Sequence, residues 1–148
     1  MNTKKIAKEY GLRVIHVNKK NLKNVSEKYD IDKDDLKNNA YVVENEDIIL
    51  GIFDDNDLKT AAFFHEIGHT LVRESFENLV QDDEMLVEYQ AWIEGLRIAK
   101  KYKIEFSNKM LKYILKSVNT YYKTALNSYN KKIRKEKNEK TNGPKNKN

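Results

Sequence analysis

The sequence predicts an α+β fold, with a short antiparallel or mixed sheet packed on a central helix and further helices C-terminal to it. Three observations carry this expectation. Apolar runs of strand length all fall before residue 54, the segment from about Leu58 to about Ser75 is apolar on two sides at helical spacing, and two more stretches with a 3.6-residue period follow. At 148 residues the chain has room for one domain. Such a domain can bury roughly two-thirds of the surface its unfolded chain would expose.

Leu12 to Asn18 alternate around Val14 and Ile15 and read as a short strand. Asn21 to Tyr29 set Leu22, Val25 and Tyr29 on one helical face, and the polar stretch Asp30 to Asn39 reads as a loop or irregular turn. Tyr41-Val42-Val43 and Ile48 to Phe53 are β-branched or apolar runs separated by Glu44 to Asp47, a spacing that suits a hairpin. The cluster Asp54 to Asp57 offers caps for the central helix. On that helix Leu58, Ala62, His65, His69, Val72 and Phe76 form one stripe, while Phe64, Ile67 and Leu71 form another. A helix apolar on two sides belongs in the middle of a domain.

After a loop around Glu77 to Asp83, Met85, Glu88, Trp92, Leu96 and Ala99 recur at helical spacing and predict a helix from about Glu84 to Tyr102. Ser107 can cap a last helix ending near Lys131, in which Met110, Tyr113, Ile114, Ser117, Tyr121, Leu126 and Tyr129 follow the helical period. The organisation expected is a single domain over residues 1–130 and a basic, disordered tail over 131–148.

Composition narrows the chemistry. Cysteine is absent, so disulfides, thiolate metal sites and cysteine nucleophiles are excluded, and a transition-metal site must use His, Asp and Glu. The net charge of +5 is concentrated at the C-terminal end, where eight basic residues from 130 to 148 face only Glu136 and Glu139. Those residues carry +6, which leaves −1 for Met1 to Tyr129. A near-neutral body with a basic tail does not read as a nucleic-acid-binding domain, and any contact through the tail should be weak and salt-sensitive. Without an apolar h-region or a long uncharged span, neither export nor membrane insertion is expected, and the compartment expected is the cytoplasm.

His65-Glu66-Ile67-Gly68-His69 is the motif that carries chemistry. His65 and His69 stand one helical turn apart, so both imidazoles project from one face and can share a Zn²⁺ at about 2.0–2.1 Å. Glu66 lies on a neighbouring face, placed to act as a general base toward water acidified by the metal rather than as a ligand. A third protein ligand is needed. The next helix offers Glu84, Glu88 and Glu94, and Glu88 alone sits in the apolar stripe with Met85, Trp92 and Ala99. Glu84, one turn earlier, is the substitute. His16, isolated in a strand, reads as a structural or surface residue.

A helix carrying HEIGH, preceded by an edge-strand candidate and followed by a helix with Glu-Tyr-Gln-Ala, resembles the ImmA/IrrE family of small zinc metallopeptidases. The resemblance spans about Tyr41 to Ala99. It implies a zincin-like domain holding one zinc ion on His65, His69 and Glu88, with Glu66 as the catalytic residue. It also implies a protein substrate, such as a transcriptional repressor or another regulator of a mobile element or stress response. A non-catalytic, zinc-containing binding module acting as an anti-repressor is the alternative. Strand Ile48 to Phe53 is expected to be the edge that pairs with an extended substrate. In one respect the sequence departs from the family pattern: Trp92 stands where the family usually has Asp or Asn, so another group must orient the zinc-bound histidine.

Overall fold

Asp47-Ile48-Ile49-Leu50 occupies the middle of the sheet, and the rest of the domain is built outward from it. The computed structural model describes residues 1–44, 46–76 and 84–141. Along the chain run α1 (Thr3–Glu9), β1 (Arg13–His16), α2 (Leu22–Tyr29), β2 (Ala40–Val43) and β3 (Asp47–Leu50). They are followed by α3 (Asn56–Phe76), α4 (Glu84–Lys101) and α5 (Asn108–Thr141). This is an α+β domain with a three-stranded mixed sheet in the order β1-β3-β2. β1 runs parallel to β3 with Val14 opposite Ile48, and β2 runs antiparallel with Val42 opposite the same residue.

That order overturns the expectation that Ile48 to Phe53 forms the edge. β3 is paired on both sides, and among the described residues β2 has β3 as its strand partner and lies at a border of the sheet. All four β3 residues are buried because both faces of the strand are covered. Ile48 and Leu50 point into a core with Ile6, Leu12, Phe63, Phe64, Ile67 and Ile98, whereas Ile49 points the other way among Val17, Val25 and Leu36. A strand covered on both faces reads as a continuous apolar run instead of an alternating one.

α3 lies under the sheet, with Phe63 and Ile67 wholly buried and Phe64 nearly so. Its start is fixed by Asp55, whose carboxylate accepts from the backbone N–H of Asp57 at 2.8 Å and Leu58 at 3.1 Å. Ser107 caps α5 by accepting from Met110 N–H at 3.2 Å and donates to Asp57 at 2.6 Å, which ties the beginnings of α5 and α3 together. α4 packs against α3 with almost no space between backbones. A methyl added at Gly68 would lie 1.9 Å from the Ala91 carbonyl oxygen, and one at Gly95 would lie 2.5 Å from that of Phe64. Only glycine permits such an approach.

One element goes beyond the sequence reading, and one more expectation requires correction. α1, not anticipated from the sequence, uses Asn2 as its cap and buries Ile6 and Ala7 in the main core. α5, expected to end near Lys131, continues to Thr141, so residues 131–141 are helical where a disordered tail was expected. A shortage of apolar residues argues against packing but not against helix. Lys, Arg and Glu are good helix formers, and extending an existing helix avoids the cost of nucleation. The expected loop at 77–83, Asn45 of the hairpin turn and residues 142–148 lie outside the described residues.

Asp47 joins the first strand to the third. Its buried carboxylate accepts from Arg13 Nε at 2.7 Å, Arg13 Nη2 at 3.1 Å and the Tyr29 hydroxyl at 2.8 Å. Burial works to raise its pKa, but the hydrogen bonds from Tyr29 and Arg13 outweigh it and hold the group below its ordinary 3.8. A carboxylate with a depressed folded-state pKa contributes stability that is fully present above the unfolded value and lost as pH falls through the folded one. Asp47→Asn is therefore expected to lower stability by about 1–3 kcal/mol at neutral pH. It should also flatten the fall in melting temperature below about pH 4. Thermal melts of both proteins across that range check this, and equal slopes would remove Asp47 from the account.

Candidate metal centre

His65 and His69 leave the middle of α3 on the same side, and α4 brings Glu88 opposite them. His65 Nε2 lies 3.1 Å from His69 Nε2 and 3.1 Å from Glu88 Oε2, while His69 Nε2 lies 3.3 Å from Glu88 Oε1. One ligand atom from each residue falls in a cluster within 4.8 Å, an arrangement that can hold a metal ion. The spacing fits such an ion. A tetrahedral centre with bonds of about 2.0–2.1 Å keeps neighbouring ligand atoms about 3.3 Å apart.

The electrostatics suit the same role. Burial pushes the His65 imidazole below its ordinary pKa, so the ring is neutral at pH 7, the form that ligates. For Glu88 burial acts to raise the pKa, but hydrogen bonds from His65 and His69 prevail and bring it to about 2. The carboxylate is ionised throughout the neutral range. Glu94 turns away to pair with Arg97 at 3.4 Å, and the side chain of Glu84 lies outside the described residues. His16 belongs neither to the cluster nor to the cleft, and its Nε2 lies 3.1 Å from the Thr3 hydroxyl, in keeping with a structural role.

Trp92 supplies the orientation that a polar neighbour was expected to give. Its ring stacks on His65 with centroids 4.1 Å apart and planes 23° from parallel, and its indole N–H donates to the Ser117 hydroxyl at 3.3 Å. His65 Nδ1 is buried and has no hydrogen-bond partner among the described residues, so on that side of the imidazole ring stacking takes the place of a hydrogen bond, while Nε2 faces Glu88 and His69. Trp92 in turn meets Tyr113 edge to face at 6.0 Å.

The cluster opens into a cleft of about 370 Å³. One wall is Asn39 and the β2 residues Ala40, Tyr41 and Val42, the floor is Ala62, His65, Glu66 and His69, and the far wall includes Tyr113, Ser117 and Tyr121 of α5. Glu66 is 8% exposed, beside the cluster but outside it. The two tyrosines escaped the sequence analysis as site residues. Their helical spacing with Met110 and Ile114 marks them as inward-facing, yet cannot separate a core position from one at the rim of a cleft. Burial first and Glu66 second raise the Tyr113 pKa, while burial, followed by the charge of Glu88, pushes Tyr121 up to about 12. Both hydroxyls therefore remain donors at neutral pH. Compared with known proteins, the chain matches no family model, no curated protein and no solved structure.

Proposed function

We propose that the chain is a zinc metallopeptidase of zincin-like architecture, similar to the ImmA/IrrE family, which cuts a peptide bond in a protein partner such as a transcriptional repressor. The observation that supports this reading is the convergence of His65, His69 and Glu88 in a cleft that Glu66 also lines. Two imidazoles and a carboxylate are a donor set used by catalytic zinc, with a position left for water or substrate. Held there, zinc supplies Lewis acidity to the scissile carbonyl and lowers the pKa of water toward about 7.

The remaining work falls to the chain's own residues. Glu66 takes a proton from the attacking water and returns it to the leaving amine. Tyr113, and Tyr121 which hydrogen-bonds Glu88, bring hydroxyl groups to the cleft, and of the two Tyr113 is the donor we assign to negative charge developing on the carbonyl oxygen. β2 replaces β3 as the strand expected to pair with substrate: its outer edge borders the cleft, so an extended peptide aligned on Ala40–Val43 would run past the cluster.

Metal analysis joined to a cleavage assay tests the reading. The purified protein should carry about one Zn²⁺ per chain, lost in His65→Ala and His69→Ala because two ligands rarely retain zinc. Glu88→Gln should weaken binding strongly, with Glu94→Gln within a few fold of wild type. Chelation should abolish cleavage of repressor-like proteins encoded beside the gene, and added zinc should restore it. A full equivalent of zinc in either histidine variant would move the site elsewhere. A zinc-loaded protein that binds such a partner and leaves it uncut would favour the binding-module reading.

A further inference from the structure

α5 carries a second feature on the side facing away from the cleft. Leu111, Leu115, Tyr122 and Leu126 are 44%, 62%, 56% and 44% exposed, whereas Met110 and Ile114 on the inner face are buried. At 3.6 residues per turn these four side chains fall within an arc of roughly 60° and extend for roughly 22 Å along the helix. The half-buried Val118 continues the arc toward the core. Tyr113, Ser117 and Tyr121 line the cleft from a separate face, so the stripe is not part of the metal centre.

The charge around the stripe has one sign. From Asn108 to Lys135 the chain has eight basic residues and no acidic one. Lys109 is paired with Asp55, while Lys112, Lys116 and Lys123 are exposed along the polar side of the stripe. We propose that this stripe is a docking seam for an amphipathic helix of a partner protein whose flanking positions are acidic. In a stripe this narrow Leu111, Val118, Leu115 and Tyr122 fall at the two alternating heptad positions of a helix seam, with Leu126 one residue beyond the next, whereas a membrane-surface helix needs a broader apolar face. Two copies of α5 would set lysine against lysine across the seam, which disfavours self-pairing. An acidic partner helix satisfies both the apolar stripe and the exposed lysines.

The inference is independent of the metal reading, and its test uses the full chain and no substrate. The probe is a synthetic 21-residue helix with Leu at its seam positions and Glu at the flanking ones, followed by fluorescence anisotropy at low and moderate salt. Wild type should bind it with a Kd on the order of 10 µM, weakening with salt. The same peptide with Lys in place of Glu should not bind. L115Q/Y122Q changes only exposed positions and should keep its circular dichroism and melting temperature, yet bind at least tenfold more weakly. K112E/K116E/K123E should lose binding to a similar extent. Absence of wild-type binding, or equal binding by L115Q/Y122Q, would overturn the proposal. So would self-association of wild type near 10 µM that L115Q/Y122Q abolishes, or seam-dependent binding to phosphatidylglycerol vesicles in place of the peptide.

Discussion

Glu66→Gln is expected to retain fold and metal while peptide cleavage falls by about 10²- to 10⁴-fold, the range typical of removing a general base. The structure separates the two properties. Glu66 lines the cleft, but the converging ligand atoms belong to His65, His69 and Glu88, so an amide of nearly the same shape at position 66 leaves the cluster intact. What the amide cannot do at neutral pH is accept a proton from water and pass it on. Zinc content, melting temperature and cleavage followed by mass measure the three quantities on one protein. Cleavage at the wild-type rate would exclude Glu66 as the base, and loss of zinc comparable to that of His69→Ala would place it among the ligands.

Gly68→Ala should be the most damaging single-methyl change. In an exposed helix it would be favourable by about 1 kcal/mol. At this position the new carbon would lie 1.9 Å from a backbone oxygen of α4, and a backbone cannot rotate away as a side chain can. Overpacking of this kind costs about 1–3 kcal/mol and sometimes more, so the expected net loss is about 2 kcal/mol. The displacement has a second consequence. The residue met by Gly68 is Ala91, one helical turn from Glu88, so moving α4 outward carries the third ligand away from the imidazoles. Zinc affinity should therefore fall at least tenfold, although no ligand has been altered. Denaturant unfolding of the metal-free protein and competition with a chelator resolve the two effects, and unchanged stability with unchanged affinity would refute the argument.

The parts of the molecule legible in the sequence are those set by local periodicity. The i, i+4 spacing of His65 and His69 fixes their common face whatever surrounds the helix, and the stripe through Met85, Glu88, Trp92 and Ala99 was enough to choose Glu88 over Glu94. Ser107 as a cap and the hairpin of β2 with β3 are local as well. The errors concern partners distant in sequence. Ile48 to Phe53 reads as an edge because nothing within the run shows that β1, more than thirty residues earlier, adds in parallel on its far side. Leu126 falls in the same helical period as Met110 and Ile114, but the structure buries those two and leaves Leu126 exposed on the outer stripe of α5. Trp92 reads in the sequence as the loss of a polar neighbour, and only its ring plane shows that it stacks on His65.

The position of β3 also bears on how the chain reaches its fold. Its pairing with β2 closes a hairpin between Val43 and Asp47, an event on the order of microseconds, whereas pairing with β1 must bring Arg13 to Asp47 across a much longer loop. Until that closure, Ile48-Ile49-Leu50 presents an open apolar edge, the kind of segment that seeds aggregation. The Arg13–Asp47 pair sits at the end of this late ladder, so weakening it should lengthen the interval of exposure and lower the yield of soluble protein at high concentration during refolding.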